Sequence, residues 1–238
     1  MRVRPTPKVA VPVMHHRWAH ITFLHWRYPA ETLRAMVPGG LEVETFDGSA
    51  WVGMTPFLMD DVRPPGVPAL PWLSRFPETN VRTYVRDGRG RSGIWFFSLD
   101  AGRLTAALGG RAGYWLPYFW SDMSVHIDGT RWWYRSRRHL SGRPGARGDV
   151  RVEVGAELTG PARDDLASFL TDRYRLFTVV AGRLAAAEVE HAPWPLHEAR
   201  LCGLDQTLLH AAGLPAPGAD PVVHASPGVD VRVGWWSR

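Results

Sequence analysis

Short turn signals divide this chain into alternating stretches, and they constrain its fold more than any other feature. Asp-Gly pairs stand at 47–48, 87–88 and 128–129, and Ala181-Gly182 offers a fourth turn. An Asp-Gly pair between alternating apolar and polar residues is the strongest short-range signal of a β-hairpin. Because these hairpins repeat without βαβ alternation, the sequence predicts a mostly β (α+β) protein. We expect a large antiparallel β-barrel or sandwich of hairpins with a few short helices.

Local periodicity places the individual elements. Alternation predicts strands at 16–26, 41–46, 49–57, 149–157, 174–180, 183–190 and 229–235. Helical signals occur at 29–36, 102–108 and 161–170, and the longest predicted helix, 195–212, has leucines at helical spacing and contains Cys202. The proline-rich stretch 61–73 is predicted to be a loop that covers a pocket.

Composition limits the class of protein. With 238 residues, 45% of them hydrophobic and 21% charged, the chain is globular. No composition break marks a boundary, so we expect a flexible N-terminal tail at 1–12 and a single domain at 13–238. The absence of a signal-like or spanning apolar segment predicts a cytoplasmic protein with no membrane partner. One cysteine excludes an internal disulfide and a multi-cysteine zinc site.

The positive charge raises the question of a nucleic-acid partner. The net charge is +5, and the densest basic run, Arg131 to Arg138, mixes arginine with tryptophan as a single-strand stacking surface does. The alternative is a hairpin strand with arginines in solvent and tryptophans packed inward. No helix-turn-helix, zinc-finger or RNP-type segment accompanies the run, so the sequence argues against nucleic acid.

Several local patterns imitate catalytic or metal motifs and fail on context. The glycines at 88, 90 and 93 have dinucleotide-loop spacing, but a β-rich run follows where that loop needs a helix. His197-Glu198 begins a zinc-protease motif and has Leu201 where the second histidine should stand. His16 and His20 lie too far apart on one strand to share a metal ion. We therefore expect no metal and no cofactor.

The stretch from Glu78 to Tyr84 is the candidate for function. Read with period two, it places Glu78, Asn80, Arg82 and Tyr84 on one face. Glu78 is a candidate acid or base, and Arg82 a candidate anion-binding group; together they are the candidate catalytic residues. The alternative is that these side chains fill the interior as a satisfied polar network.

Two prolines flank a further candidate pair. His191 and Trp194 lie in the segment His191-Ala192-Pro193-Trp194-Pro195, whose prolines fix the backbone between a predicted strand and a predicted helix. The pair forms either a structural corner or part of a ligand site. We include both residues, with Asn80 and Tyr84, among the candidate ligand-binding residues.

Six segments together resemble one family over nearly the whole chain. They are Phe23–Trp26, Phe46–Gly53, Glu78–Val85, Phe96–Asp100, Leu170–Tyr174 and His191–Leu196. They resemble the YqjF-like family, the domain of unknown function 2071. That family is similar in turn to acetoacetate decarboxylase, so the resemblance implies a large, mostly antiparallel β-barrel with an internal pocket.

The resemblance also carries a chemical exclusion. Acetoacetate decarboxylases have an Arg-x-x-Trp-Gly-Phe-Pro-Lys-Lys segment whose lysine forms an imine with the substrate. In the matching segment here, which begins at Arg111, Tyr118 and Phe119 replace the two lysines. The only lysine of the chain is Lys8, so imine-forming decarboxylation is not expected. By the same alignment Tyr118 becomes a candidate ligand-binding residue, and Glu78 matches a pocket-lining glutamate.

Three functions remain open from the sequence. The first is a barrel that binds a small, anionic organic molecule without lysine chemistry, which we prefer. The second is an acid–base enzyme, a lyase or hydrolase, that acts on an organic acid through Glu78 and Arg82. The third is a structural or nucleic-acid-associated protein that uses the surface from Arg131 to Arg138. The oligomeric state is left open.

Overall fold

The computed structural model describes residues 6–139 and 145–237, and most of them lie in strands. The strands are β1 (Pro12–Tyr28), β2 (Leu41–Val43), β3 (Thr45–Phe46), β4 (Ser49–Arg63), β5 (Phe76–Asp87), β6 (Ser92–Ala101), β7 (Tyr118–Asp128), β8 (Arg131–Arg138), β9 (Arg147–Glu157), β10 (Arg175–Val180), β11 (Arg183–His191), β12 (His197–Gln206) and β13 (Val222–Gly234). The helices are α1 (Ala30–Arg34), α2 (Leu104–Tyr114), α3 (Asp165–Thr171) and α4 (Leu208–Ala211), with a 3₁₀ turn at Gly160–Ala162. The mostly β class is confirmed.

The predicted hairpin turns are all present. Asp47 and Gly48 both have positive φ, as do Ala181 and Gly182, which is the backbone that a two-residue hairpin with right-handed twist requires. The turn after Asp87 is held by the Asp87 carboxylate, which accepts from the amides of Arg89 and Arg91. Local turn chemistry was therefore sufficient to locate these hairpins.

The predicted helix at 195–212 is wrong. Residues His197–Gln206 form β12, which pairs with β9, and only the short α4 follows. Backbone pairing along a neighbouring strand outweighs the leucine spacing, because helix propensity is a weak prior that tertiary context overrides. Cys202 consequently lies on a strand and is exposed rather than packed inside a helix.

The strands form one sheet that closes on itself twice. One ring runs β11-β10-β6-β5-β4-β1-β13 and closes through the β11–β13 pairing. A second ring leaves β6 through β7, β8, β9 and β12 and returns to β13. The pairs β10–β6 and β6–β7 are parallel, so the sheet is mixed rather than wholly antiparallel.

The two rings have different interiors. The second ring is filled by apolar side chains such as Trp132, Tyr134 and Val152, which pack against Leu24, Leu208 and their neighbours. The first ring is lined by a separate group that includes Phe23, Phe57 and Val231. The cavity described below lies within the first ring.

The N-terminal segment joins the fold before β1 begins. Val9 is buried, and its amide donates a 2.7 Å hydrogen bond to the Glu190 carboxylate. Residues 1–5 of the expected tail lie outside the described part of the chain, and the domain boundary at residue 13 stays a prediction. In the described ranges, none of the helices has the length and apolar character needed to cross a membrane.

A buried ion pair connects the strands where β6, β7 and β8 meet. The Asp100 carboxylate accepts from the Arg138 guanidinium at 2.6 and 2.7 Å and from the Ser121 hydroxyl at 2.7 Å. Both charged side chains are almost completely buried, with exposed fractions of 0% and 1%. Each charge therefore depends on its partner for compensation.

We predict that Asp100→Asn destabilises the protein by about 3–5 kcal/mol, because it leaves the Arg138 charge buried and unpaired. The matched control is Asp230→Asn, which breaks an exposed ion pair with Arg17 and should cost less than about 1 kcal/mol. Urea unfolding of the three proteins measures both values. Equal losses in the two variants would contradict this account of the pair.

Candidate functional site

A cavity of about 370 Å³ lies within the ring that β10 and β11 close. Strands β1, β4, β5, β6, β10 and β13 supply most of its wall, and Tyr118 enters from β7. The apolar part of the wall includes Met14, Ile21, Phe57, Met59, Val62, Phe76, Ile94, Phe96, Leu99, Leu116, Leu176 and Val233. In such surroundings each polar group has a larger electrostatic effect than it would have in water.

Strand β5 supplies the central polar groups. Since alternate residues of a strand face the same side, Glu78, Asn80 and Arg82 all reach the cavity. The pairing of β5 with β4 fixes this register, with Phe57 opposite Glu78 and Gly53 opposite Arg82. Three of the four side chains that the sequence predicts on one face of the strand thus line the same cavity. Their roles stay predictions.

Glu78 is a buried carboxyl group surrounded by neutral donors. Its exposed fraction is 3%, and its Oε2 accepts a 2.9 Å hydrogen bond from the Tyr118 hydroxyl. Burial raises the pKa of Glu78 from 4.5 to about 8, and the hydrogen bonds from Tyr118 and Asn80 only partly oppose this rise. Among the described residues no cation forms an ion pair with Glu78. The group therefore keeps its proton at neutral pH.

Arg82 is the opposite case, a buried group that cannot lose its charge. Its exposed fraction is 6%, its Nε has no hydrogen-bond partner, and no described carboxylate pairs with it. The ring centre of Phe23 lies 5.5 Å from its guanidinium carbon. The cavity wall therefore contains an uncompensated positive charge.

The other buried arginines show that this arrangement is unusual within the molecule. Arg138 pairs with Asp100, and Arg173 pairs with Glu44 and donates to the Phe169 carbonyl. Each of these guanidinium groups has a carboxylate partner. Arg173 also lines the cavity, but Glu44 compensates its charge, whereas no described carboxylate pairs with Arg82.

Tyr118 lies against both the cavity and α2. Gly110 of α2 approaches the Tyr118 ring so closely that a Cβ at Gly110 would lie 2.3 Å from a ring carbon. The glycine therefore lets the helix press against the tyrosine, which in turn reaches Glu78. Burial and the nearby Glu78 carboxyl raise the pKa of Tyr118 well above its usual value, so it acts as a hydrogen-bond donor.

The remaining candidate residues lie behind the cavity wall. Tyr84 donates a 2.7 Å hydrogen bond to the Leu170 carbonyl, and its oxygen lies 2.5 Å from His25 Nε2. His191 donates to the Ala192 carbonyl, and the Trp194 indole donates to a backbone carbonyl of α3. None of the three is among the residues that line the cavity. They lie behind the wall of this cavity, and their part in ligand binding stays a prediction.

Two cavity residues were missed as site candidates. His16 and Trp18 of β1 both line the space, and neither His16 Nδ1 nor Trp18 Nε1 has a hydrogen-bond partner. Burial lowers the pKa of His16 to about 4, so its ring is neutral. Alternation through β1, where Met14, His16 and Trp18 share a side, was the signal that could have identified them.

Two other kinds of site find little support. In the part of the chain that the structure describes, no three His, Cys, Asp or Glu side chains cluster as metal ligands would. The strand from Arg131 to Arg138 faces interleaved acids: Arg135 pairs with Asp149 on the adjacent β9. A surface whose charges alternate in this way lacks the continuous positive potential that a nucleic-acid backbone requires.

Comparison with known families identifies relatives of the whole chain. A family described as "Uncharacterized conserved protein", the domain of unknown function 2071, matches residues 15–230. The uncharacterized protein YqjF of Bacillus subtilis (strain 168) is 36% identical over 219 residues, which cover 92% of this chain and 89% of YqjF.

Solved structures extend the likeness to the fold. Acetoacetate decarboxylase from Legionella pneumophila superposes with a TM-score of 0.69 at 11% identity, covering 100% of this chain and 89% of that one. The enduracididine biosynthesis enzyme MppR, complexed with pyruvate, gives 0.66 at 15% identity and coverages of 96% and 90%. An acetoacetate decarboxylase-like enzyme from Sphingomonas wittichii RW1 gives 0.66 at 14% identity, with 97% and 94% covered. The acetoacetate decarboxylase-like fold is thereby confirmed.

We predict that Gly110→Ala destabilises the protein by about 1–3 kcal/mol, because the new methyl group must displace Tyr118 and weaken its hydrogen bond to Glu78. Gly113→Ala in the same helix is the matched control, since a Cβ there meets no atom within 4 Å. It should stabilise α2 by about 0.5–1 kcal/mol. Thermal and urea unfolding measure the change in stability of each variant. If both variants change the stability in the same direction, the proposed contact between Gly110 and Tyr118 is wrong.

Glu78 should also make stability depend on pH. The unfolded carboxyl loses its proton near pH 4.5, whereas the folded one keeps it until about pH 8, so unfolding releases a proton between these values. The contribution of Glu78 to stability is therefore complete below pH 4.5 and falls as pH rises to 8, by about 1.4 kcal/mol per pH unit. Glu78→Gln should remove this dependence of stability on pH. Urea unfolding of both proteins at pH 5 and pH 8 measures the change. Parallel slopes for the two proteins would show that Glu78 ionises normally.

Proposed function

This chain belongs to the YqjF-like family, the domain of unknown function 2071, and we propose that its cavity binds a small organic anion through Arg82. The observation that carries the proposal is the buried guanidinium with no carboxylate partner among the described residues. An isolated buried charge costs of the order of several kcal/mol, which a bound anion would offset. A carboxylate fits best, because it accepts two parallel hydrogen bonds from one guanidinium.

The rest of the wall describes the body of the ligand. Most lining side chains are aliphatic or aromatic, so the part of the molecule away from Arg82 is apolar. At about 370 Å³ the space is at the lower end of the range for small-molecule sites. Glu78 keeps its proton, so its hydroxyl can donate a hydrogen bond to a neutral oxygen of the ligand. Because the group is uncharged, it would not favour a ligand that carries a positive charge. These features favour a monocarboxylate with a small apolar body.

Two further observations agree with this ligand class. The structurally similar MppR was solved in complex with pyruvate, a small carboxylate. The single lysine here, Lys8, is exposed and is not among the cavity-lining residues. An anion held in this cavity would therefore be bound without the imine that a lysine could form.

The proposal is tested with Arg82→Met, which replaces the guanidinium by an apolar side chain of similar length. Pyruvate and hexanoate at about 100 times their Kd should stabilise the natural protein by about 2.7 kcal/mol in thermal unfolding. In the variant the affinity should fall at least about thirtyfold, since a charged partner is lost. Hexanamide, which has no charge, should bind neither protein strongly.

Two outcomes separate a binding role for Arg82 from a structural one. Without ligand, Arg82→Met should be as stable as the natural protein or more so, because an uncompensated buried charge is removed. The matched control, Arg138→Met, leaves Asp100 unpaired and should destabilise the fold. If Arg82→Met unfolds as Arg138→Met does, or if carboxylates bind the variant unchanged, the binding proposal is wrong.

Acid–base catalysis on the bound anion is the second candidate, favoured by the proton that Glu78 retains. A Glu78 hydroxyl that donates to a ligand carbonyl would ease loss of a neighbouring C–H proton to solvent hydroxide, because it stabilises the enolate oxygen. Exchange of pyruvate methyl protons in D₂O, followed by NMR, tests this. Glu78→Gln should slow exchange at least about a hundredfold, within the range of general-acid effects. Exchange no faster than in buffer would leave binding as the function.

A further inference from the structure

Two segments outside the sheet complete the wall of the cavity. The loop 64–75 contributes Pro64 and Leu73, and the segment 103–116, which contains α2, contributes residues such as Thr105 and Gly109. The two segments touch each other: Arg103 donates to the Trp72 carbonyl at 3.3 Å, and its guanidinium lies 4.8 Å from the Trp72 ring centre. They form one continuous surface over this side of the cavity.

The outer side of this surface is apolar. Six large hydrophobic residues are exposed on it, and we call them the mouth patch: Val67, Leu70, Trp72, Leu73, Leu104 and Leu108. Trp72 is 69% exposed and Leu108 is 57% exposed, so both side chains have most of their surface in contact with solvent. Clusters of this kind on a soluble domain mark an interaction surface, whereas single exposed hydrophobics do not.

The charged residues within the two segments that carry the mouth patch all have one sign. The two segments contain no Asp or Glu and hold Arg75, Arg103 and Arg111. None of these three arginines forms an ion pair with a described residue. At the edge of the loop, Arg63 is neutralised by Asp61 at 2.9 Å. The mouth patch is thus an apolar surface bordered by three uncompensated positive charges.

We propose that the mouth patch docks on the surface of an anionic lipid membrane. Protruding tryptophan and leucine side chains enter the boundary between headgroups and acyl chains, and the arginines contact anionic headgroups. This mode needs no spanning segment, so it revises the expectation of no membrane partner without requiring a transmembrane helix. The cavity of a docked molecule would lie beneath the two segments that contact the bilayer.

A second copy of the chain fits the mouth patch less well. In a two-fold dimer the same patch would face itself, and three unpaired arginines from each subunit would meet without any carboxylate between them. The positive border instead matches a surface that is continuously negative. The combination with protruding tryptophan favours lipid, because tryptophan is enriched at the membrane–water interface.

Vesicle flotation of the full chain tests the proposal. The natural protein should bind vesicles of phosphatidylcholine mixed with phosphatidylglycerol and bind phosphatidylcholine alone much less. The triple variant Arg75→Gln, Arg103→Gln and Arg111→Gln should lose about fivefold in affinity per arginine, about a hundredfold in total. Trp72→Ser with Leu108→Ser should also abolish binding, and brominated lipids should quench tryptophan fluorescence in the natural protein but not in this variant.

A matched variant controls for net charge. Arg131, Arg137 and Arg183 are exposed, form no described ion pair and lie outside the two segments, so replacing all three by Gln should leave vesicle binding unchanged. Circular dichroism and thermal unfolding establish that every variant is folded. Three results would overturn the proposal. They are an equal loss of vesicle binding in both triple variants, no binding of the natural protein to anionic vesicles, and a dimer in solution that Trp72→Ser abolishes. Docking does not depend on Arg82, so the vesicle experiment tests it independently of ligand binding.

Discussion

The set of side chains that face the cavity depends on the register of β5 between β4 and β6. From Phe76 to Thr83 each residue of β5 is paired with a residue of β4, without a break. Because a strand has a period of two, a slip of one residue would turn Glu78 and Arg82 away from the cavity and bring their apolar neighbours into it. The positions of the Glu78 and Arg82 side chains in the cavity therefore follow from this pairing.

Within the cavity two ionisable groups meet the same apolar environment in different ways. Glu78 takes up a proton, since burial raises its pKa and the neutral donors around it tolerate the uncharged form. Arg82 has no such option, because the guanidinium stays charged at any physiological pH. The cavity wall thus keeps a buried charge that no described carboxylate compensates, beside neutral polar atoms such as His16 Nδ1 and Trp18 Nε1 that also lack a hydrogen-bond partner. A buried group of this kind costs stability, and this cost is the basis of the proposed binding of an anion.

Turn chemistry and alternation were enough to predict the class of fold and the polar face of β5. Both are local properties, and Asp47-Gly48 or Glu78-x-Asn80-x-Arg82 can be read without knowing any neighbour. The strand β12 could not be read in this way, because its conformation is decided by pairing with β9. The lack of a carboxylate beside Arg82 could not be predicted either. A sequence shows which acidic residues are present, but not which of them the folded chain brings close to the guanidinium. The parallel pairings of β6 escaped prediction for the same reason.

The pairing of β1 with β13 has a consequence for the order in which the molecule can assemble. Strand β1 contains residues near one end of the chain and β13 residues near the other, with His16 opposite Val231. The first ring includes this pair and the second ring also contains β13, so neither ring can close before β13 has been synthesised. Contacts between distant parts of a chain slow folding, because a long loop must be ordered before they form. During translation the apolar strands that will surround the cavity are unpaired at their edges, and they are then open to chaperones and to aggregation.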